Sequence, residues 1–333
     1  MRNGTNGVSL TPNIAHTFAL LFSAVARIAL GLVAIMAVCT PTRIRAQTTL
    51  PRPDHIVIVI EENRSLRQIS SFVKHHPDSY LASLMKQGTS FKSFFALFHP
   101  SQPNYIDLFS GDRYGVTNDN HPGRLFSPLV APSIGGELRK KGLTFAGYAE
   151  DLPKSGFDGA ESGNYVRRHC PWINFADVPT FWSMPLTQFP ATEFEKLPTL
   201  SLVIPNLKND MHGKPLDVVF SNEKLIKDGD DWLRLKLKDY VEWAQTHNSL
   251  FIVTWDEDND TRCLLPFHQK KDCETKPARN RIATIFVGQM VLPDKASDTQ
   301  YTHLDLLRTL EEMYSLTLLG ASKNGKVITD VWK

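Results

Sequence analysis

Residues His55-Ile-Val-Ile-Val-Ile60 run without a break into Glu61-Glu62-Asn63. Five β-branched residues in succession favour an extended chain, and an unbroken apolar run implies a strand covered on both faces. Such strands belong to parallel sheets flanked by helices. The acidic and amide residues that follow then stand at a strand's carboxyl end, where open α/β sheets bind their ligands. Four further runs have the same character, at 143–148, 201–204, 249–254 and 282–287. Between and after them lie helical patterns. Leu233, Leu237, Val241 and Ala244 share one stripe across 223–246, as Leu306, Leu310 and Tyr314 do across 304–314. The alternation predicts one α/β domain over 47–333, built on a mostly parallel central sheet flanked by helices.

Three of the runs end in residues able to hold a cation. Ile60 leads to Glu62 and Asn63, Ile204 to Asn206, Asp210 and His212, and Thr254 to Asp256, Glu257 and Asp258. Carboxylates and amides suit hard cations, and Asp with His suits zinc or another transition metal. One acidic loop after a strand is ordinarily solvated surface, and Glu150 and Asp151 are read that way. The weight falls on the repetition at three strand ends. A fourth stretch, Phe98-His-Pro-Ser101-Gln-Pro-Asn104-Tyr105, reads as the start of a helix ending near Gly111, with Ser101 as its N-cap and Pro103 in its first turn. A plain capping serine is the bland reading. The functional reading is that a helix N-terminus offers N–H groups and a positive dipole to an anion beside the Ser101 hydroxyl.

The first 46 residues differ in kind. They contain Arg2, Arg27, Arg43 and Arg45 but no Lys, Asp or Glu, with an apolar stretch from Ile28 to Cys39 and Ile44-Arg45-Ala46 before Gln47. This pattern predicts a signal peptide over 1–46, and with it a secreted or periplasmic protein. The competing reading is a retained anchor, but Arg27 shortens the apolar run below the roughly 20 residues that span a bilayer. Membrane contact is therefore expected only through an uncleaved leader. Removing the leader takes four positive charges, so a net charge of +2 becomes −2, which argues against a nucleic-acid partner. In an exported chain Cys263 and Cys273 are expected to pair as a disulfide, two free thiols being the alternative, and Cys170 is expected to be unpaired and buried.

Taken in order, the stretches 55–65, 99–105, 205–213, 254–257, 280–288 and 302–314 resemble the bacterial phosphoesterase family of secreted acid phosphatases and phospholipase C enzymes. That family is a branch of the alkaline phosphatase and sulfatase superfamily. The resemblance implies an alkaline-phosphatase-like three-layer α/β sandwich, acting on a small phosphorylated substrate through Ser101 as the phosphate-accepting nucleophile. It implies that Glu62, Asn63, Asp256 and Glu257 surround a metal ion to which Ser101 also binds. Asp210, His212 and His303 would form a second metal position, or would act as phosphate ligands and proton donors where only one ion is held. The resemblance thus makes His212 and His303 catalytic candidates as well. One or two divalent ions are expected, from among Zn, Mn, Ca and Mg. Asn104, beside Ser101, and His169, in the stretch from Tyr165 to Trp172, would bind phosphate. Two positions depart from the family pattern: Glu257 stands where a second Asp is common, and Leu304-Asp305 follow His303 where hydroxyl residues are usual. A phosphomonoesterase is the first expectation, with a phospholipase C-like phosphodiesterase and a non-catalytic metal- or phosphate-binding relative as alternatives.

Overall fold

The order of the strands explains why polar residues far apart in sequence meet. The computed structural model describes residues 50–120, 128–214, 222–259 and 280–333. Its strands are β1 (His55–Glu61), β2 (Thr89–Phe91), β3 (Phe94–Phe95), β4 (Phe145–Ala149), β5 (Glu161–Ser162), β6 (Tyr165–Val166), β7 (Ser183–Pro185), β8 (Leu200–Ile204), β9 (Ser249–Trp255), β10 (Arg281–Ile282), β11 (Thr284–Gly288), β12 (Lys295–Ser297) and β13 (Tyr301–Thr302). An eight-stranded sheet runs in the order β12-β2-β11-β9-β1-β8-β4-β7. The five strands from β9 to β7 are mutually parallel, and β11 joins β9 antiparallel. The sheet is thus mostly parallel, as the apolar runs require.

Strand β1 sits between β9 and β8, with Glu61 opposite Trp255 and Val59 opposite Val203. The residues after each of the three strands therefore emerge side by side at one edge of the sheet. Every residue of β1 after His55, and all of β4, β8, β9 and β11, is buried. The helices are α1 (Leu66–His75), α2 (Tyr80–Gln87), α3 (Ser101–Ser110), α4 (Ile134–Lys140), α5 (Asn222–Ala244) and α6 (His303–Met313). Helix α5 buries Leu233, Leu237, Val241 and Ala244, the stripe read from its periodicity. Helix α3 packs against α6 and is buried at all ten positions.

The run at 282–287 is two strands, not one. Arg281–Ile282 pairs with β3 in a small second sheet, and after Ala283 the chain enters the main sheet as β11. A continuous apolar run reports burial but not which sheet each residue joins. Ser101 also differs from expectation: it is the first helical residue of α3, preceded by Pro100 as a cap that makes no side-chain hydrogen bond. Cys170 is a free, buried thiol. The leader and the pair Cys263 and Cys273 lie outside the described residues. No helix among the described residues is long and apolar enough to cross a membrane.

Candidate active site

Ser101 Oγ lies where three strand ends and one helix meet. Its hydroxyl, on a residue 4% exposed, donates to Glu62 Oε2 at 3.0 Å and also lies 3.4 Å from Glu257 Oε1. Asn63 Nδ2 lies 3.3 Å from the same hydroxyl, 2.7 Å from Glu62 Oε2 and 3.1 Å from His212 Nδ1. Asn63 reaches all three because its backbone is left-handed, with φ of 52°, a conformation Asn tolerates better than most residues. Its backbone N–H donates to Asp256 Oδ1 at 2.8 Å, tying the end of β1 to that of β9. These contacts explain why Ser101 is not a cap. Its oxygen faces carboxylates, and the helix's Gln102 N–H donates instead to Asp119 Oδ1 at 3.0 Å.

Glu62 is the hub. While Oε2 takes Ser101 and Asn63, Oε1 accepts from Tyr105 Oη at 2.6 Å and contacts His169 Nε2 at 3.2 Å, with the Tyr105 and His169 rings stacked. Burial alone would raise the Glu62 pKa, but His169, His212 and the Tyr105 hydroxyl together hold it well below the usual range, so the group is ionised. Burial pushes the His169 pKa down to about 4, against the opposing pull of the Glu62 charge. His169, read as a phosphate ligand, is thus a fully enclosed partner of Glu62.

The loop after β8 brings in Asp210 and His212. Asp210 Oδ1 accepts from the backbone N–H groups of His212 and Gly213 at 2.9 and 2.8 Å, and Met211 between them is left-handed at φ of 67°. The His212 side chain is 42% exposed and lies 3.8 Å from Glu62 Oε2, so it marks the open side of the site. Burial lowers the His212 pKa, but the nearby carboxylates of Glu62 and Asp210 outweigh that and raise it.

Two predicted residues bond to backbone, and the second nitrogen of one of them, His303 Nδ1, is buried without a hydrogen-bond partner. Asn104 Oδ1 accepts from the backbone of Leu97 and Phe98 and its Nδ2 donates to Phe98 O, so both ends of the amide hold the loop before Ser101. His303 Nε2 hydrogen-bonds Trp255 O at 2.9 Å, and burial lowers its pKa to about 4. Glu150 and Asp151, read as solvated charges, accept from the side chains of Asn209 and Asn206 and brace the 206–213 loop. Tyr105, bonded to Glu62, and His99, whose Nδ1 lies 2.7 Å from Glu257 Oε2, enter the site without having been singled out. Tyr105 was within reach of sequence reasoning, because residues four apart share a helix face and Ser101 opens the same helix. Asp119 had no such signal.

The donor set fits a divalent cation. Asp256 and Glu257 have pKa values well above the usual carboxylate range, through burial first and then through the charge of Glu62, with Glu257 adding to Asp256 and with Asp119 and Asp258 adding to Glu257. Asp210 is pushed up to about 7 by burial and Glu62. Asp256 Oδ2 and Asp210 Oδ2 are buried without a hydrogen-bond partner. A positive charge among these oxygens would satisfy them and remove the repulsion. Among the described residues no three His, Cys, Asp or Glu alone form a metal-holding group, so an ion here would also use the Asn63 amide and the Ser101 hydroxyl. Hard oxygen donors of this kind suit Mg, Mn or Ca, and His212 at the rim adds a nitrogen that suits Zn or Mn.

Comparison with known proteins agrees with this chemistry. Residues 71–317 match the Phosphoesterase family. A phosphatidylinositol-3-phosphatase of Mycobacterium tuberculosis is 39% identical over 288 residues, covering 86% of this chain and 85% of that protein. A phosphate-repressible acid phosphatase of Penicillium chrysogenum is 28% identical over 258 residues, 73% of this chain, which spans 56% of that protein's length. Among solved structures, a protein of the alkaline phosphatase superfamily from Vibrio parahaemolyticus superposes with a TM-score of 0.54 at 13% identity, over 85% of this chain and 75% of that one. The fold is therefore that of the alkaline phosphatase superfamily, and the chain belongs to the Phosphoesterase family as a hydrolase of phosphoric esters.

Proposed function

We propose that this chain is an exported, divalent-metal-dependent phosphomonoesterase that takes the phosphoryl group onto Ser101 Oγ and releases it by hydrolysis. The observation that carries the reading is the buried Ser101 hydroxyl held at once by Glu62, Asn63 and Glu257. Glu62, strongly ionised, orients the hydroxyl but is a weak base. Glu257 Oε1, 3.4 Å from Ser101 Oγ, is the second carboxylate within reach and, once ionised, can accept the Ser101 proton. A bound divalent cation would keep Asp256 and Glu257 ionised and offset the negative charge of the phosphoryl oxygens. As Oγ attacks phosphorus, the Oγ–H proton passes to Glu257, the Oγ–P bond forms and the P–O bond to the leaving group breaks in line with it. His212, at the open side and with its pKa raised by the Glu62 and Asp210 carboxylates, is placed to give a proton to the departing oxygen. Neutral His212 then takes a proton from the water that attacks phosphorus, the Oγ–P bond breaks, and Glu257 gives its proton back to Oγ, returning Ser101.

The phosphatase names of the relatives favour a monoester over a diester, and the export reading rests on the composition of the leader. The test is Ser101→Ala, assayed on a small phosphomonoester with Mn²⁺ or Zn²⁺ supplied after removal of all metal. Turnover should vanish while the melting midpoint stays that of the native chain. An Ala variant that kept a substantial fraction of native turnover would exclude Ser101 as the nucleophile.

A further inference from the structure

The backbone donor beside Ser101 is already taken by an anion of the chain itself. Ser101 opens the ten-residue helix α3, and Pro103 has no N–H, so the N–H of Gln102 is the free donor that follows Ser101 in the first turn. It donates to Asp119 Oδ1 at 3.0 Å. A helix N-terminus favours any anion at these groups, carboxylate and phosphate alike. We propose that the Asp119 carboxylate stands where a phosphate oxygen would sit on Gln102 N–H, and that a phosphoryl group reaching Ser101 must displace it. Asp119 is thus a built-in competitor, which loosens the hold on the substrate's phosphate and on the phosphate released. The proposal rests on the reading of Ser101 as nucleophile.

Gln102 holds the loop that carries the competitor as well as the competitor itself. Its side chain is fully buried, and the amide nitrogen donates to Asn118 O at 3.0 Å and to Asn120 O at 2.9 Å, on either side of Asp119. Asn118 Oδ1 in turn accepts from Asn120 N at 3.0 Å. The backbone of this loop is therefore fixed to α3 independently of the Asp119 carboxylate. The charges of Glu62 and Glu257 act on Asp119 with like sign, and those of Arg168 and His212 with opposite sign, so the carboxylate lies in the field of the site. Asp119 is nonetheless an exposed residue. Its side chain can turn out to water when a phosphate oxygen takes the N–H, and return when phosphate leaves, with no element of the fold having to open.

Two variants test it. Asp119→Ala empties the N–H, and Asp119→Asn keeps an oxygen able to accept from it while removing the charge. Native chain and both variants, under saturating Mn²⁺, are titrated with inorganic phosphate to give a Kd, and are assayed for KM and kcat on a small phosphomonoester and for melting midpoint. A hydrogen bond to a charged group sets the scale of the competition, so Asp119→Ala should bind phosphate about tenfold more tightly, or better, and show a lower KM. Asp119→Asn should fall between the native chain and Ala. Phosphate affinity in Asp119→Ala no higher than native would overturn the proposal, whether or not kcat falls. So would an Asn variant that matches Ala, because Asp119 would then act by its charge at a distance and not by holding the N–H. Phosphate binding is read without turnover, so its outcome stands apart from that of Ser101→Ala, where turnover would refute the nucleophile itself.

Discussion

Both oxygens of Glu62 are committed, one to Ser101 and Asn63 and the other to Tyr105 and His169. Tyr105→Phe removes a 2.6 Å hydrogen bond to a buried carboxylate while keeping the ring that stacks on His169. A hydrogen bond to a charged group contributes about 1.5–3 kcal/mol, so the variant should melt earlier and lose roughly tenfold or more in kcat. Native kcat in the Phe variant would show that Glu62 does not need this support. At this scale the sequence was legible where chemistry follows a strand end: Glu62, Asn63, Asp256 and Glu257 all reach the site. It misled where a side chain can serve two purposes. Asn104 was expected from the family resemblance to bind phosphate, and its amide is used on backbone six and seven residues earlier. His169 meets Glu62 across more than a hundred residues, a contact that no local pattern encodes.

The loop 206–213 and helix α5 illustrate how elements hold a site. A Cβ on Gly229 of α5 would come within 2.4 Å of Met211 Cγ and 2.9 Å of Asn209 O, so the glycine lets the helix press against the loop that carries His212. Replacing a helix-interior Gly by Ala ordinarily gains about 1 kcal/mol, whereas overpacking a filled site costs about 1–3 kcal/mol. Gly229→Ala should therefore destabilise the chain on balance and lower kcat by shifting His212. A higher denaturation midpoint in the variant would mean that the loop yields freely.

Helix α6 gives a second case at this scale. Glu311 accepts from Leu319 N and Ser322 Oγ, and burial pushes its pKa from 4.5 up to about 7. The folded chain keeps that proton up to about pH 7 and the unfolded chain loses it near 4.5, so stability falls as pH rises between the two and stays lower above. Glu311→Gln should raise the melting midpoint at pH 8 and leave it nearly unchanged below pH 4.5. An equal effect at both would remove Glu311 from the pH dependence. Neither the glycine contact nor the raised carboxyl is written in periodicity. Both arise from packing between elements far apart in the chain.

For the molecule as a whole, topology does what no single motif can. Strand β1 lies between β8 and β9, so three acidic loops that are each unremarkable converge on the start of α3. That convergence was readable in outline, because parallel strands must all end on the same side of the sheet. The switch of 281–288 between two sheets and the reach of Asp119 to α3 were not, since they depend on where loops run rather than on what they contain. The central claim is a covalent phosphoserine, and rapid acid quenching of native enzyme during turnover, followed by peptide mass analysis, tests it most directly. The account predicts one added phosphoryl group on the peptide containing Ser101, present only with substrate and absent from Ser101→Ala. A phosphoryl group on a different residue, or turnover by Ser101→Ala, would contradict it.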